Sequence, residues 1–160
     1  AGPRRHDPHV RVEPVRQLTD VATIVRQVVA LRALSPPDET TVTCAATESL
    51  PPCMVDPDLL ATALENLIRN AYEAMPNGGQ VHVAATHSHG SIQISVSDTG
   101  AGMDARHQER AFDAFYSTKV TGSGLGLAFV RRFCEAHNGR AQLRSVEGRG
   151  TEVALQLPVD

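Results

Sequence analysis

The spacing of apolar residues changes several times along this chain, and each change marks an element. Leu18, Val21, Val25, Val28 and Leu31 step by three and four, which predicts an amphipathic helix ending before Pro36-Pro37. Thr40 to Ala46 reads as a strand. Asp56 suits a helix cap and Pro57 the first helical position, where a missing N–H costs nothing. Leu60, Ala63, Leu64, Leu67, Ala71 and Ala74 then form one helical face to about Met75, and Pro76-Asn77-Gly78-Gly79 stops it. Val81, Val83 and Ala85 alternate with polar neighbours, as do Ile92, Ile94 and Val96, so a hairpin is predicted around Gly90. A short helical piece from Asp104 to Phe112, a polar loop through Lys119 to Gly124 and a helix from Leu125 to His137 follow, the last closed by Asn138-Gly139. Ala141 and Leu143, then Val153, Leu155 and Leu157, alternate across a turn with Gly148 and Gly150 and predict a closing hairpin.

Several of these strand connections are too short for parallel crossovers. The pattern therefore predicts an α+β, two-layer α/β sandwich, with a mixed, mostly antiparallel sheet packed against about three helices. Residues 1–16, with Pro3, Pro8, Pro14, Arg4 and Arg5, read as an N-terminal tail or linker stub, and 17–160 as one domain. Aromatic residues make up 4% of the chain and Trp is absent, so the core must be aliphatic. A chain of this size buries roughly 70% of its unfolded surface and needs no disulfide or metal to fold.

Charge and cysteine usage exclude several classes. A net charge of −3 without a concentrated basic field argues against nucleic-acid binding. No apolar run approaches the roughly 18 residues that span a bilayer, so the domain is not expected to enter a membrane. Cys44, Cys53 and Cys134 are odd in number and form no CxxC pair, which predicts buried free thiols and a reducing, cytoplasmic setting.

The candidate chemistry lies in four places. Asn66 and Asn70 are four apart and lie within about 40° of each other around their helix, beside the apolar stripe. Such a pair can simply satisfy core backbone, but side-chain carbonyl oxygens are also hard ligands for a magnesium ion carried in by phosphates. Asp98-Thr-Gly-Ala-Gly102 follows a strand: its carboxylate accepts hydrogen bonds and so favours an amino group on a base, and its glycines permit close approach. Gly122-Ser-Gly-Leu-Gly126 opens a helix whose N-terminal N–H groups form an anion site. Between them, Phe112 and Phe115 anchor a loop or belong to the core, and Lys119 offers a point charge to a phosphate. There is no Walker P-loop, the glycine and acidic residues are in the wrong order for a Rossmann site, and His82, His87 and His89 read as solvated turn or strand residues, not metal ligands.

In order, Glu65-Asn-Leu-Ile-Arg-Asn-Ala71, Asp98-Thr-Gly-Ala-Gly-Met103, Phe112-Asp-Ala-Phe-Tyr-Ser-Thr-Lys119, Gly122-Ser-Gly-Leu-Gly-Leu127 and Gly148-Arg-Gly-Thr151 resemble the catalytic ATP-binding domain of bacterial sensor histidine kinases. This is the Bergerat-fold superfamily that includes gyrase, Hsp90 and MutL, and Asn70-Ala-Tyr-Glu-Ala-Met-Pro-Asn-Gly-Gly79 looks most like the nitrogen-regulatory type. The resemblance implies ATP and magnesium as cofactors. It makes Asn70 the magnesium ligand, Asn66 a support for the phosphates or a metal-bound water, and Asp98 the reader of the adenine amino group. Gly100, Gly102, Met103 and Thr151 would shape the adenine pocket. Lys119, Gly122, Ser123, Gly124, Leu125 and Gly126 would form the lid and its phosphate hinge, with Asn66, Asn70 and Lys119 acting in catalysis. Relatives that carry a phosphate-binding Lys three residues after the magnesium Asn differ from this chain, which has Glu73 there, so more of the charge compensation falls to Lys119.

Where the gyrase and Hsp90 branches place a water-activating Glu four residues before that Asn, this chain has Asn66, a poor general base. The resemblance thus implies slow hydrolysis and transfer of the γ-phosphoryl to a histidine on a separate dimerisation and phosphoacceptor domain, then to a response regulator receiver domain. Neither His6 nor His9 has the helical context of such an acceptor. The isolated domain is expected to be monomeric and its parent homodimeric, possessing an anchor in the membrane or not. Two alternatives stand beside this: a nucleotide-responsive interaction module that transfers nothing, and a gyrase- or MutL-like ATPase.

Overall fold

The computed structural model describes residues 13–46, 50–114 and 126–159. Its elements are β1 (Gln17–Thr19), α1 (Val21–Ala33), β2 (Thr40–Ala46), β3 (Cys53–Val55), α2 (Pro57–Glu73), β4 (Gly79–Ser88), β5 (Ser91–Asp98), α3 (Ala105–Arg110), α4 (Gly126–Ala136), β6 (Arg140–Val146) and β7 (Gly150–Pro158). The larger sheet has the order β2-β4-β5-β7-β6, and only the β2–β4 pairing is parallel. That pairing uses α2 as its crossover, while His89 and Gly90, both at positive φ, close the β4–β5 hairpin. The expected mixed, mostly antiparallel sheet under helices is what forms.

Local chemistry explains the helix limits. The Asp56 carboxylate accepts from the N–H groups of Asp58 and Leu59, both at 3.1 Å, so α2 begins with its first donors satisfied and Pro57 in its first turn. At the far end of α4, Asn138 takes a left-handed conformation and the Gly139 N–H returns to the Cys134 carbonyl at 2.8 Å. A side chain on Gly139 would lie 2.1 Å from the Gln156 carbonyl oxygen, so glycine is required there by packing.

Alternation makes the sheet one-sided. Val81, Val83, Ala85, Ile92, Ile94, Val96, Leu155 and Leu157 are buried toward α1, α2 and α4, where Leu60, Leu64, Ile68 and Phe133 meet them. Each of the larger side chains among them contributes about 2 kcal/mol by leaving water, and Ala85 less. The intervening residues face outward, and one cross-strand row there runs Thr43, His82, Ser97, Glu152, Arg144. His82 Nδ1 lies 2.7 Å from the Thr43 hydroxyl in that row.

Two expectations are corrected. Leu18 belongs to β1, which pairs with β3, and is 67% exposed, while Leu31 is 63% exposed; the buried face of α1 is Val21, Ala22, Val25, Val28 and Val29. Cys53 and Cys134 are buried, and burial pushes the Cys134 thiol up to about 12, but Cys44 sits on the edge strand β2 and is exposed. Val15, read as tail, donates its N–H to Asp56 Oδ2 at 2.8 Å, and the Arg16 guanidinium donates to the Ala136 carbonyl. No helix among the described residues is long and apolar enough to cross a membrane.

Candidate functional site

Across the helix-facing side of the sheet, register aligns Val42, Val81, Asp98, Thr151 and Ser145 in one row. The row is apolar under α1 and α2 and turns polar over β5, β7 and β6. Above it the helices leave a cavity of about 290 Å³. Val96, Leu143 and Val153 line its base, α2 contributes Leu67, Asn70, Ala71 and Glu73, and the Ala101–Met103 segment and Leu127 complete it. An apolar chamber with a few convergent polar groups is the usual form of a small-molecule site.

Of the residues expected to bind nucleotide, Asn70, Asp98, Gly102, Met103 and Thr151 line this one cavity. Asn66 and Gly100 are not among its described lining residues; Gly126 opens α4 beside Asn66, and a side chain there would meet Asn66 Cβ at 3.8 Å. Phe115, Lys119, Gly122, Ser123, Gly124 and Leu125 lie outside the described residues, as do His6 and His9.

The turn after β5 is built around Asp98. Its Oδ1 accepts the Gly100 N–H at 2.8 Å, which orients the carboxylate. Gly100 and Gly102 are demanded by backbone as much as by any ligand: side chains there would lie 2.5 Å from the Ala74 carbonyl oxygen and 2.2 Å from that of Val146, and Gly102 has φ +73°. The turn is thus wedged between the end of α2 and the β6–β7 hairpin.

Two residues that the sequence did not single out hold this wall. Ser145 Oγ accepts the Met103 N–H at 2.7 Å and lies 2.8 Å from Thr151 Oγ1. Gln108, from α3, donates to the carbonyls of Met103 at 2.8 Å and Ser145 at 3.1 Å. Their hydrogen bonds depend on strand register and on where a short helix docks, and neither leaves a periodic signal.

On α2, Glu65 turns toward α1 and pairs with Arg32 at 3.1 Å. Asn70 and Glu73 are one turn apart and both line the cavity, offering a neutral and an anionic oxygen donor. This donor set suits magnesium, which keeps several waters and binds through one or two protein oxygens together with substrate phosphates.

The profile of the histidine kinase-, DNA gyrase B- and HSP90-like ATPase family matches residues 55–160. The sensor histidine kinase ZraS of Escherichia coli is 41% identical over 115 residues, covering 72% of this chain and 25% of the relative. Full-length ShkA, solved in complex with AMPPNP, superposes with a TM-score of 0.82 at 29% identity over 93% of this chain and 32% of its own. The catalytic domain of the histidine kinase ThkA shares the fold, with a TM-score of 0.81 at 21% identity, over 90% of this chain and 95% of its own. This chain spans only about a quarter of the length of the ZraS relative. The chain belongs to the family of histidine kinase-, DNA gyrase B- and HSP90-like ATPases, as an ATP-binding catalytic domain of its sensor histidine kinase branch.

Proposed function

We propose that the cavity over β5, β7 and β6 holds ATP with magnesium, and that the γ-phosphoryl passes to a histidine on a separate dimerisation and phosphoacceptor domain. A response regulator receiver domain is the next acceptor. The observation that carries the reading is the convergence of Asp98 and Thr151, paired across β5 and β7, with Asn70 of α2 on one cavity.

In this reading Asp98 accepts from the adenine amino group, Gly100, Gly102 and Met103 shape the slot for the ring, and Asn70 holds magnesium with Asn66 behind it. Magnesium, when bound, neutralises phosphate charge. Lys119 and the N–H groups of Gly122, Ser123, Gly124, Leu125 and Gly126 take the phosphate oxygens. The acceptor imidazole nitrogen attacks the γ-phosphorus as the bond to the bridging oxygen breaks; ADP departs with that electron pair, and the phosphorylated ring releases its remaining N–H proton. Positioning and charge neutralisation supply most of the rate. Water competes poorly, because Asn66 cannot act as a base and Glu65 is engaged by Arg32.

Residues 17–160 form this ATP-binding unit and 1–16 its linker stub, acting in the cytoplasm as part of a homodimeric parent. The test supplies labelled ATP, magnesium and a phosphoacceptor domain. Acid-labile, base-stable label on that domain is the expected result; fast ATP turnover with no label on it would overturn the reading.

A further inference from the structure

We propose that Ser145 is a specificity-determining positioning residue: it fixes the Thr151 hydroxyl as a hydrogen-bond acceptor toward the cavity and so selects a base that presents an amino group. The inference deepens the adenine-site reading above and rests on it.

A serine hydroxyl has one hydrogen to donate and two lone pairs to accept with. Ser145 Oγ has three partners: the Met103 N–H at 2.7 Å, the Gly150 carbonyl oxygen at 3.0 Å and Thr151 Oγ1 at 2.8 Å. The N–H can only donate and the carbonyl can only accept, so Ser145 spends its hydrogen on Gly150 and one lone pair on Met103. When all three bonds are made together, only a lone pair remains for Thr151, which then donates. With its single hydrogen committed, the Thr151 hydroxyl has only lone pairs left to offer, and the residue lines the cavity.

Asp98 is the register partner of Thr151 and also lines the cavity, and a carboxylate likewise only accepts. A base with an amino group at this wall supplies donors to it. A base with a carbonyl there sets acceptor against acceptor in a half-buried site, where an unmatched polar group is costly. An uncommitted threonine hydroxyl would rotate and donate to the carbonyl; Ser145 removes that tolerance. Gln108 supports the arrangement by holding the Ser145 carbonyl at 3.1 Å.

The test measures dissociation constants for ATP and inosine triphosphate, whose ring carries a carbonyl in place of the amino group, in the wild type, Ser145→Ala, Thr151→Val and the double variant. Ser145→Ala is expected to lower the ATP preference about tenfold, the effect of one hydrogen bond changed from mismatched to matched. Thr151→Val lowers it similarly, and Ser145→Ala adds nothing to the ratio in that background. Equal weakening of both ligands by Ser145→Ala would make Ser145 only a brace for the hairpin and overturn the proposal. An unchanged ratio in Thr151→Val would also overturn it, even if Ser145→Ala failed to fold. A wild type that binds neither nucleotide would overturn the adenine site itself, an outcome distinct from ATP binding with an unaltered ratio.

Discussion

Glu65 and Arg32 form an ion pair at 3.1 Å between α2 and α1, and neither lines the cavity over β5, β7 and β6. The one carboxylate next to Asn66 is thereby turned from the site. This arrangement favours slow hydrolysis in the proposed reading. Glu65→Gln should change ATP turnover in the absence of an acceptor by less than about twofold, since an exposed pair of this kind contributes at most about 1 kcal/mol to the fold. A loss of turnover larger than tenfold in a steady-state phosphate-release assay would show Glu65 acting as a base.

Asn70→Ala removes the neutral oxygen donor from the cavity wall and leaves Asp98 and the apolar base in place. Nucleotide should still bind, more weakly, while its affinity ceases to depend on magnesium and transfer to a phosphoacceptor domain is lost. Calorimetric titration with and without magnesium checks the first part, and magnesium-dependent transfer at normal rate would contradict it.

Gly102 has φ +73° and no space for a side chain, since a Cβ would lie 2.2 Å from the Val146 carbonyl oxygen. Gly102→Ala should cost more than about 2 kcal/mol through strain and collision. Urea denaturation measures it. Gly148→Ala is the control, because that position also has positive φ yet nothing within 4 Å, so its cost should be smaller.

His137 is 3% exposed, donates from Nδ1 to the Phe133 carbonyl at 2.8 Å and accepts the Asp56 N–H on Nε2 at 3.0 Å. Burial first, and then the nearby Arg16 charge, lower its pKa, against opposing contributions from the Phe133 carbonyl and Asp56. Unfolded, it takes up a proton near the ordinary value of about 6.5, so below that pH the unfolded state binds more protons. This contribution to stability is complete above about pH 6.5 and falls as pH drops toward the lower folded value. His137→Gln should flatten the dependence of melting temperature on pH between about 7 and 5.5; an unaltered slope would remove His137 as its source.

The strongly periodic elements were legible in the sequence for physical reasons. Asp56 and Pro57 announce α2, and the alternation through Val81, Ile92 and Leu155 reports a sheet buried on one face only. β1 and β3 were missed because three residues give no period, and Leu18 then completed a false helical stripe. The cavity residues Asn70, Asp98 and Thr151 were legible through their neighbours in sequence, Asn70 at helical spacing and the other two beside glycine turns. Ser145, Gln108 and the Glu65–Arg32 pair were not, since each acts through a partner at least 33 residues away or across a register that only the folded sheet defines.

An adenine-nucleotide site organised by Asp98 is decided by thermal unfolding of the wild type and Asp98→Asn with ATP or GTP, with and without magnesium. Asparagine can still accept the Gly100 N–H with its carbonyl oxygen, so the variant should fold while losing the charge that strengthens the bond to the base. At a hundred times the dissociation constant, ATP stabilises the native state by about 2.7 kcal/mol, a rise in melting temperature of about 5–10 °C for a domain of this size. That rise is expected with ATP, larger with magnesium, small with GTP and mostly abolished in Asp98→Asn. An equal rise with GTP, or a full rise with ATP in Asp98→Asn, would contradict it.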